Sequence, residues 1–336
     1  MVPDLLSDPF RERLPPIARE HFQLLGGRFQ FESNSRQLLR LVDSAYADLP
    51  RHRLSTRAPW LRVGLLLTSG DRSRMRSGPP PLAMFSGAGF LGAATNSSGL
   101  VVLSPGERSA LVVVSAELLQ FPYHVRYELI EFAVFTLAAR TQGLVPLHAA
   151  CVGRGGRGLL LMGPSGSGKS TVALHCLLQG FDFVSEDSVF VVPDSMVATG
   201  VANFLHVRSD SLRWLARARD AAAIRASPVI RRRSGVKKFE VNLRRGGYRL
   251  AASPVKITAV AFLSARSAGN HPLLRSLPKS ELLVKLTAAQ SYAANQPEWT
   301  TFSRTVSGVD AFEVRRGRHP LETVEVLREL LVSRAR

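Results

Sequence analysis

Cysteine is scarce in this sequence. Only two occur among 336 residues, Cys151 and Cys176, and neither lies in a Cys-x-x-Cys pair or a Cys/His cluster. This scarcity disfavours a disulfide-stabilised scaffold and a structural zinc site. Long apolar runs are also missing, since the most hydrophobic stretch, residues 129–139, is short and contains Glu131. The first residues hold acids and prolines where a signal peptide would have basic and apolar residues. We therefore expect a cytoplasmic protein with no membrane partner.

Acidic residues are few relative to basic ones. The chain has 44 Lys and Arg against 26 Asp and Glu, a formal net charge of +18. Such an excess favours an acidic partner, and on charge alone it leaves nucleic acid open. The arginines are spread along the chain, however, and no RNP-like or stacked aromatic pattern accompanies them. Nucleic acid is therefore not the expected partner, and the isolated Trp60, Trp214 and Trp299 are interpreted as packing residues.

The length and a 45% content of hydrophobic residues predict two domains with a real core. Residues 1–142 hold no chemical motif and form a small α+β domain, for substrate recognition or assembly. Residues 143–336 have the short strands and glycine turns of an α/β catalytic domain. Within the first domain, apolar spacing predicts a helix over 34–49, a strand over 60–69, a hairpin over 99–114 that turns at Pro105-Gly106, and a helix over 123–143.

One short stretch carries a strong chemical signal. Residues 163–171 read GPSGSGKST and satisfy G-x-x-x-x-G-K-[ST], between an apolar strand and an apolar helix. In this motif backbone amides and the helix N-terminus hold phosphates. Lys169 is expected to reach the β- and γ-phosphates, and Ser170 to ligate Mg²⁺. The predicted nucleotide-binding residues are Gly163, Pro164, Ser165, Gly166, Ser167, Gly168, Lys169, Ser170 and Thr171. The glycines of 153–158 precede a strand, so they predict a hairpin turn and not a dinucleotide-binding loop.

Two acids follow one helix downstream of this loop. Glu186 and Asp187 end an apolar run, and adjacent strands would put their carboxylates beside the γ-phosphate. A carboxylate there could hold the metal or take a proton from an attacking hydroxyl. The alternative is that both acids are solvated residues at the end of a strand.

Residues 145–191 resemble the catalytic core of HPr kinase/phosphorylase. The shared pattern is an apolar-Pro-Leu-His segment, a glycine turn, a strand, the phosphate loop, a helix and an apolar stretch that ends in two acids. The resemblance implies a PEPCK-like P-loop kinase core that phosphorylates a protein serine with ATP and Mg²⁺. It also implies roles for four residues: His148 as the active-site histidine, Lys169 as the catalytic lysine of the phosphate loop, Ser170 as a magnesium ligand and Asp187 as the base. Related enzymes are hexamers, which implies a homo-oligomer.

The chain departs from the family pattern at several positions. Glu186 stands where the family usually has Asp, although it could still support the metal, and Thr171 replaces a frequent glutamate. The family's segment with a magnesium-binding glutamate has no match in residues 201–215. Related kinases phosphorylate a serine on ribosomally made precursors such as lasso peptide precursors, so we expect a peptide or protein serine as the acceptor.

A basic segment lies further downstream, over residues 231–243. Lys237 or Lys238 is a candidate to neutralise charge on the transferred phosphoryl group. A loop that grips an acidic peptide and an inert surface loop are the alternatives. The basic residues of 315–318 are expected to be plain surface.

The sequence therefore favours an ATP- and Mg²⁺-dependent kinase. In this hypothesis Lys169 and Ser170 serve the nucleotide, Glu186 and Asp187 help with the metal, and Asp187 acts as base beside His148. A nucleotide-gated regulatory or nucleic-acid-binding module and a small-molecule kinase stay open as alternatives.

Overall fold

The computed structural model describes residues 16–55, 57–69, 78–95 and 98–332, and the chain is mixed α/β. It divides into two compact units. The first comprises Arg28–Ala47, Trp60–Leu137 and the segment up to Phe22. The second comprises Gln23–Gly27, Asp48–Pro59 and the chain from Ala138 onward. Two short segments inside the predicted first domain thus belong to the second unit.

The first unit is built on a seven-stranded mixed sheet. Its order is β1-β2-β3-β7-β6-β5-β4, with β2–β3 and β3–β7 parallel. The predicted hairpin is confirmed as β6–β7, which turns where the Arg108 amide bonds the Pro105 carbonyl. The strands are β1 (Ala18–Leu24), β2 (Gly27–Ser33), β3 (Trp60–Thr68), β4 (Ala83–Gly87), β5 (Phe90–Thr95), β6 (Gly99–Ser104) and β7 (Ser109–Ser115).

The helix predicted over 34–49 is confirmed as α1 (Arg36–Tyr46). The Ser35 hydroxyl caps it by accepting a hydrogen bond from the Gln37 amide, and its buried apolar residues form one stripe toward the core. The segment predicted as a helix over 123–143 is helical but not uniform. It consists of α2 (Pro122–His124), a π-helical stretch (Val125–Ile130) and α3 (Glu131–Gln142), and a 3₁₀ turn (Leu118–Gln120) precedes it.

The second unit contains a nine-stranded sheet and a three-stranded sheet. The larger has the path β11-β9-β10-β17-β13-β12-β8, with β19 beside β17 and β18 beside β19. The smaller has the order β14-β16-β15. The strands are β8 (Val145–His148), β9 (Ala150–Arg154), β10 (Arg157–Met162), β11 (Asp182–Ser185), β12 (Ser188–Val192), β13 (Val197–Gly200), β14 (Phe204–Val207), β15 (Val229–Arg231), β16 (Lys237–Asn242), β17 (Val255–Ser267), β18 (Leu274–Ser276) and β19 (Asp310–Arg316).

Helices cover both faces of the larger sheet. Alternate residues of β10 point to opposite faces. Leu159 and Leu161 join the core under α4 (Lys169–Leu178) and α9 (Pro320–Val332), whereas Leu160 and Met162 join the core under α6 (Lys279–Ala289) and α8 (Trp299–Val306). A strand buried on both faces explains why the sequence there is apolar without alternation. The helices are α4 (Lys169–Leu178), α5 (Ala218–Arg225), α6 (Lys279–Ala289), α7 (Ser291–Ala294), α8 (Trp299–Val306) and α9 (Pro320–Val332), with a 3₁₀ helix at Ser209–Trp214.

Three expectations from composition are tested by the structure. Cys151 and Cys176 are both free and buried, and burial raises the pKa of each thiol well above its ordinary value. Over the described ranges, no helix is long and apolar enough to cross a membrane. Trp60 packs only in part, because 52% of its surface is exposed, while its ring meets that of His21 edge to face and lies under the Arg28 guanidinium.

Candidate active site

The phosphate loop connects β10 to α4, as the sequence predicts. Gly163 has φ +142°, and a Cβ there would lie 2.5 Å from the Leu263 carbonyl oxygen, so only glycine fits. Gly168 caps α4 with φ +98°, and a Cβ on it or on Gly166 would meet nothing within 4 Å. The loop therefore faces open space in front of a helix N-terminus, as a phosphate-binding loop requires.

Lys169 is folded back onto its own loop. Its ammonium donates to the carbonyl oxygens of Gly163 at 2.6 Å and Pro164 at 3.3 Å. Burial lowers the pKa of Lys169 and nearby Lys238 adds to the effect, while Asp187 and Glu186 act in the opposite direction. Both of these hydrogen-bond acceptors are neutral carbonyls, and an anionic phosphate oxygen would bind the ammonium more strongly.

Three hydroxyl residues flank the lysine. The Ser167 hydroxyl is buried and finds no hydrogen-bond partner among the described residues. Ser170 lies in the first turn of α4 and lines the same cleft as the loop. The Thr171 hydroxyl lies 3.0 Å from that of Ser211, which links α4 to the 3₁₀ helix that follows β14.

The two acids occupy the turn between β11 and β12. The expectation that adjacent strands carry the loop and the acids is wrong, because β9 lies between β10 and β11. The β9–β10 hairpin, predicted from the glycines of 153–158, places β9 there. The acids still reach the cleft, where Glu186, Asp187 and Lys169 are all lining residues.

Asp187 faces His148 across paired strands. The antiparallel register of β8 and β12 sets His148 opposite Ser188, the residue after Asp187. His148 Nδ1 lies 3.1 Å from Asp187 Oδ1, and an Arg232 guanidinium nitrogen lies 4.0 Å from Oδ2. The hydrogen bond that His148 donates to the Asp187 carboxylate raises the pKa of His148, although burial and the Lys169 charge oppose it.

Glu186 has a different environment. It is buried, and its Oε2 accepts hydrogen bonds from the backbone amide of His206 at 2.8 Å and from Nδ1 at 3.0 Å. His206 Nε2 lies 3.3 Å from a carboxylate oxygen of Glu240. Burial lowers the pKa of His206, but hydrogen bonds to both carboxylates outweigh it, so the net shift is upward. Glu186 thereby connects the acidic turn to β14.

One cleft of about 490 Å³ brings together the loop residues from Ser165 to Thr171 with His148, Glu186, Asp187 and His206. Among the described residues, its lining contains eight cationic side chains and three carboxylates, a balance suited to a polyanion. Lys238 lines the cleft but Lys237 does not, since neighbours on a strand point to opposite sides. The basic residues of 315–318, expected as plain surface, lie at the cleft. The cations are Lys169, Arg208, Arg213, Arg232, Lys238, Arg315, Arg316 and Arg318, and the carboxylates are Glu186, Asp187 and Asp210.

Sequence reasoning missed several residues of this region. Gln290 is buried, accepts from the His148 amide at 2.7 Å and donates to the His148 carbonyl at 3.0 Å. No pattern in the sequence marks it. His206 and Glu240 also escaped notice, because isolated polar residues in short strands resemble ordinary surface. Trp214, expected to pack, also lines the cleft.

No family model matches the chain, and no curated protein matches it. Among solved structures, the Hpr(Ser) kinase/phosphatase from Coxiella burnetii aligns with 56% of this chain and 88% of its own, at 14% sequence identity and a TM-score of 0.27. A TM-score of this size does not establish a common fold. The chemistry of the cleft therefore has to be derived from its own residues.

Proposed function

We propose that this protein is an ATP- and Mg²⁺-dependent kinase that transfers the γ-phosphoryl group to a hydroxyl, with a serine of a peptide or protein as the acceptor. The observation that carries the proposal is the presence of Lys169, Ser170 and Asp187 in one basic cleft, at the end of a G-x-x-x-x-G-K-S loop. A phosphate loop alone supports only nucleotide binding, and the carboxylate beside it supports transfer.

The residues of the loop fit a triphosphate. Gly166 and Gly168 leave open space in front of the α4 N-terminus, and the Ser167 hydroxyl is buried without a partner in the described chain. Lys169 would exchange its loop carbonyls for phosphate oxygens, a charge-assisted and stronger hydrogen bond. Lys238 and Arg232 would neutralise charge that develops during transfer.

The magnesium site would depend on the nucleotide. Within the described part of the chain, no three His, Cys, Asp or Glu side chains are grouped so as to hold a metal alone. Ser170 and Asp187 would hold the ion together with phosphate oxygens, and Glu186 would support it while bonded to His206. The bound ion would supply charge neutralisation at the transferred phosphoryl.

Asp187 is the proposed base. In its ionised form it would accept the proton of the attacking hydroxyl, with His148 holding one carboxylate oxygen and fixing its direction. Gln290 in turn fixes the backbone of His148 through two hydrogen bonds. Positioning of the two substrates and neutralisation of charge on the phosphoryl group would supply most of the rate enhancement.

The test follows phosphate by mass after incubation with Mg-ATP and synthetic peptides that each contain one serine. Wild type is compared with Lys169→Ala and Asp187→Asn, and with the control Asp194→Asn, which removes an exposed carboxylate outside the cleft. We expect phosphopeptide from wild type and the control, and a loss of about 10²-fold or more in Asp187→Asn. Equal activity in all four proteins would refute this mechanism. ATP consumption without phosphopeptide would instead indicate a low-mass acceptor.

A further inference from the structure

The cleft contains an aromatic pair that phosphate binding does not explain. Trp214 ends the 3₁₀ helix at Ser209–Trp214, and His319 precedes α9. Both are partly buried lining residues, and their rings meet edge to face at 5.4 Å between centroids. Aromatic surface in an otherwise basic cleft indicates a ligand with a planar apolar part as well as negative charge.

A side-chain contact connects the helix that carries Trp214 to the helix that follows the phosphate loop. Thr171, in the first turn of α4, contacts Ser211 of the 3₁₀ helix at 3.0 Å. Trp214 is three residues further along that helix, about 6 Å at the 3₁₀ rise per residue. The indole is thus within the length of a nucleotide whose phosphates occupy the loop.

The Trp214 ring already accepts a planar cation. The Arg213 guanidinium carbon lies 4.8 Å from the ring centroid. Arg213 is exposed and long, so a flat ligand can displace it at little cost in packing. The same ring face then provides a stacking surface for another planar group.

His319 has a defined orientation. Its Nδ1 accepts a hydrogen bond from the Leu321 amide at 3.1 Å, which assigns the proton of the neutral ring to Nε2. Behind it lies the buried ring of His175, at 5.6 Å between centroids. The loop before α9 is also held by the Arg318 amide, which donates to the Glu322 carboxylate. His319 is therefore a lining residue of fixed ring orientation whose neutral form carries its donor at Nε2.

We infer that Trp214 and His319 form the nucleobase subsite, in which a purine stacks on the indole and a ring nitrogen of the purine accepts from His319 Nε2. A purine covers more of the indole than a pyrimidine does, and stacking favours it for that reason. This inference rests on the proposed function, because it assumes that the phosphates of the same nucleotide occupy the loop.

The experiment separates base from phosphates by measuring affinity for Mg-ADP and for magnesium tripolyphosphate, which has no base. In Trp214→Ala, affinity for Mg-ADP should fall about ten-fold or more while affinity for tripolyphosphate is unchanged. Trp214→Phe should keep most of the affinity, and the control Trp60→Ala, at an exposed tryptophan, should match wild type. Lys169→Ala should lower the affinity for both ligands.

A second readout needs no variant at position 214. In a protein whose other tryptophans, Trp60 and Trp299, are replaced by Phe, Mg-ADP should quench the emission of Trp214 and tripolyphosphate should not. Unchanged emission on saturation with Mg-ADP, or wild-type Mg-ADP affinity in Trp214→Ala, would overturn the subsite. If wild type binds neither ligand, the proposed function itself fails, so the two failures are distinguishable.

Discussion

The packing of α4 can be tested through the protonation of one histidine. His175 lies on the buried face of the helix, with only 3% of its surface exposed, and its ring meets that of His319. Burial, and then the neighbouring His319, lower the pKa of His175 to about 4, from an ordinary value of 6.5. The folded protein therefore keeps this imidazole neutral at pH values where the unfolded chain protonates it.

The sign and size of the effect follow from these two values. Between pH 6.5 and pH 4 the unfolded chain binds more protons at His175 than the folded protein does. With respect to this residue, the free energy of unfolding is therefore highest above pH 6.5 and decreases as the pH falls toward 4. The whole interval corresponds to about 3 kcal/mol of unfolding free energy. Between pH 7 and pH 5, His175 alone lowers the free energy of unfolding by about 2 kcal/mol.

The assay is urea unfolding of wild type and His175→Leu at pH 7 and pH 5. Leucine fills the site without a titratable group, and all other titrating residues are common to both proteins. Wild type should therefore lose about 2 kcal/mol more than the variant on acidification. His271→Leu, at an exposed histidine, should behave as wild type. Parallel loss of stability in wild type and His175→Leu would refute the reasoning.

Three further outcomes are expected at the candidate site. Asp187→Asn removes the partner that raises the pKa of His148, so the His148 imidazole should titrate above pH 6.5 by NMR in wild type and at a lower pH in the variant. Gln290→Ala should lower kcat of phosphate transfer about ten-fold and leave KM for ATP unchanged, because among the described residues the side-chain amide bonds the His148 backbone and not the phosphate loop. Gly163→Ala should cost about 1–3 kcal/mol in urea unfolding and weaken Mg-ADP binding, whereas Gly106→Ala, in open space, should be neutral.

Each of these outcomes has a clear contrary result. An identical His148 titration in wild type and Asp187→Asn would show that the carboxylate does not control the imidazole. A kcat in Gln290→Ala equal to that of wild type would remove its positioning role. Equal stability and Mg-ADP affinity in Gly163→Ala and Gly106→Ala would contradict the close approach at the loop.

Local patterns predicted the parts of the site that are contiguous in sequence. The loop of 163–171, the helix that follows it and the hairpin around 153–158 each depend on neighbouring residues, and all three are observed. Glu186 and Asp187 were also expected near the loop, and both line its cleft. Here glycine positions and apolar runs specify backbone shape directly.

The remaining features depend on contacts between distant residues. The pairing of β11 with β9, which places β9 between β10 and β11, is a choice of strand partner that no local pattern encodes. Gln290 bonds His148 from 142 positions away, after α6. The choice between Lys237 and Lys238 required knowing which side of β16 faces the cleft. Which strands pair, and which side of a strand faces the cleft, are determined by the folded chain as a whole.

The hydrogen bonds between Glu186 and His206 make the acidic turn mechanically dependent on the three-stranded sheet. His206 belongs to β14, while Glu240 and Lys238 belong to its neighbour β16. A ligand that binds the outer surface of this sheet and displaces it would move the Lys238 ammonium and the turn holding Asp187 together. Binding on the outer surface of the three-stranded sheet would thereby change the position of Asp187, the proposed base.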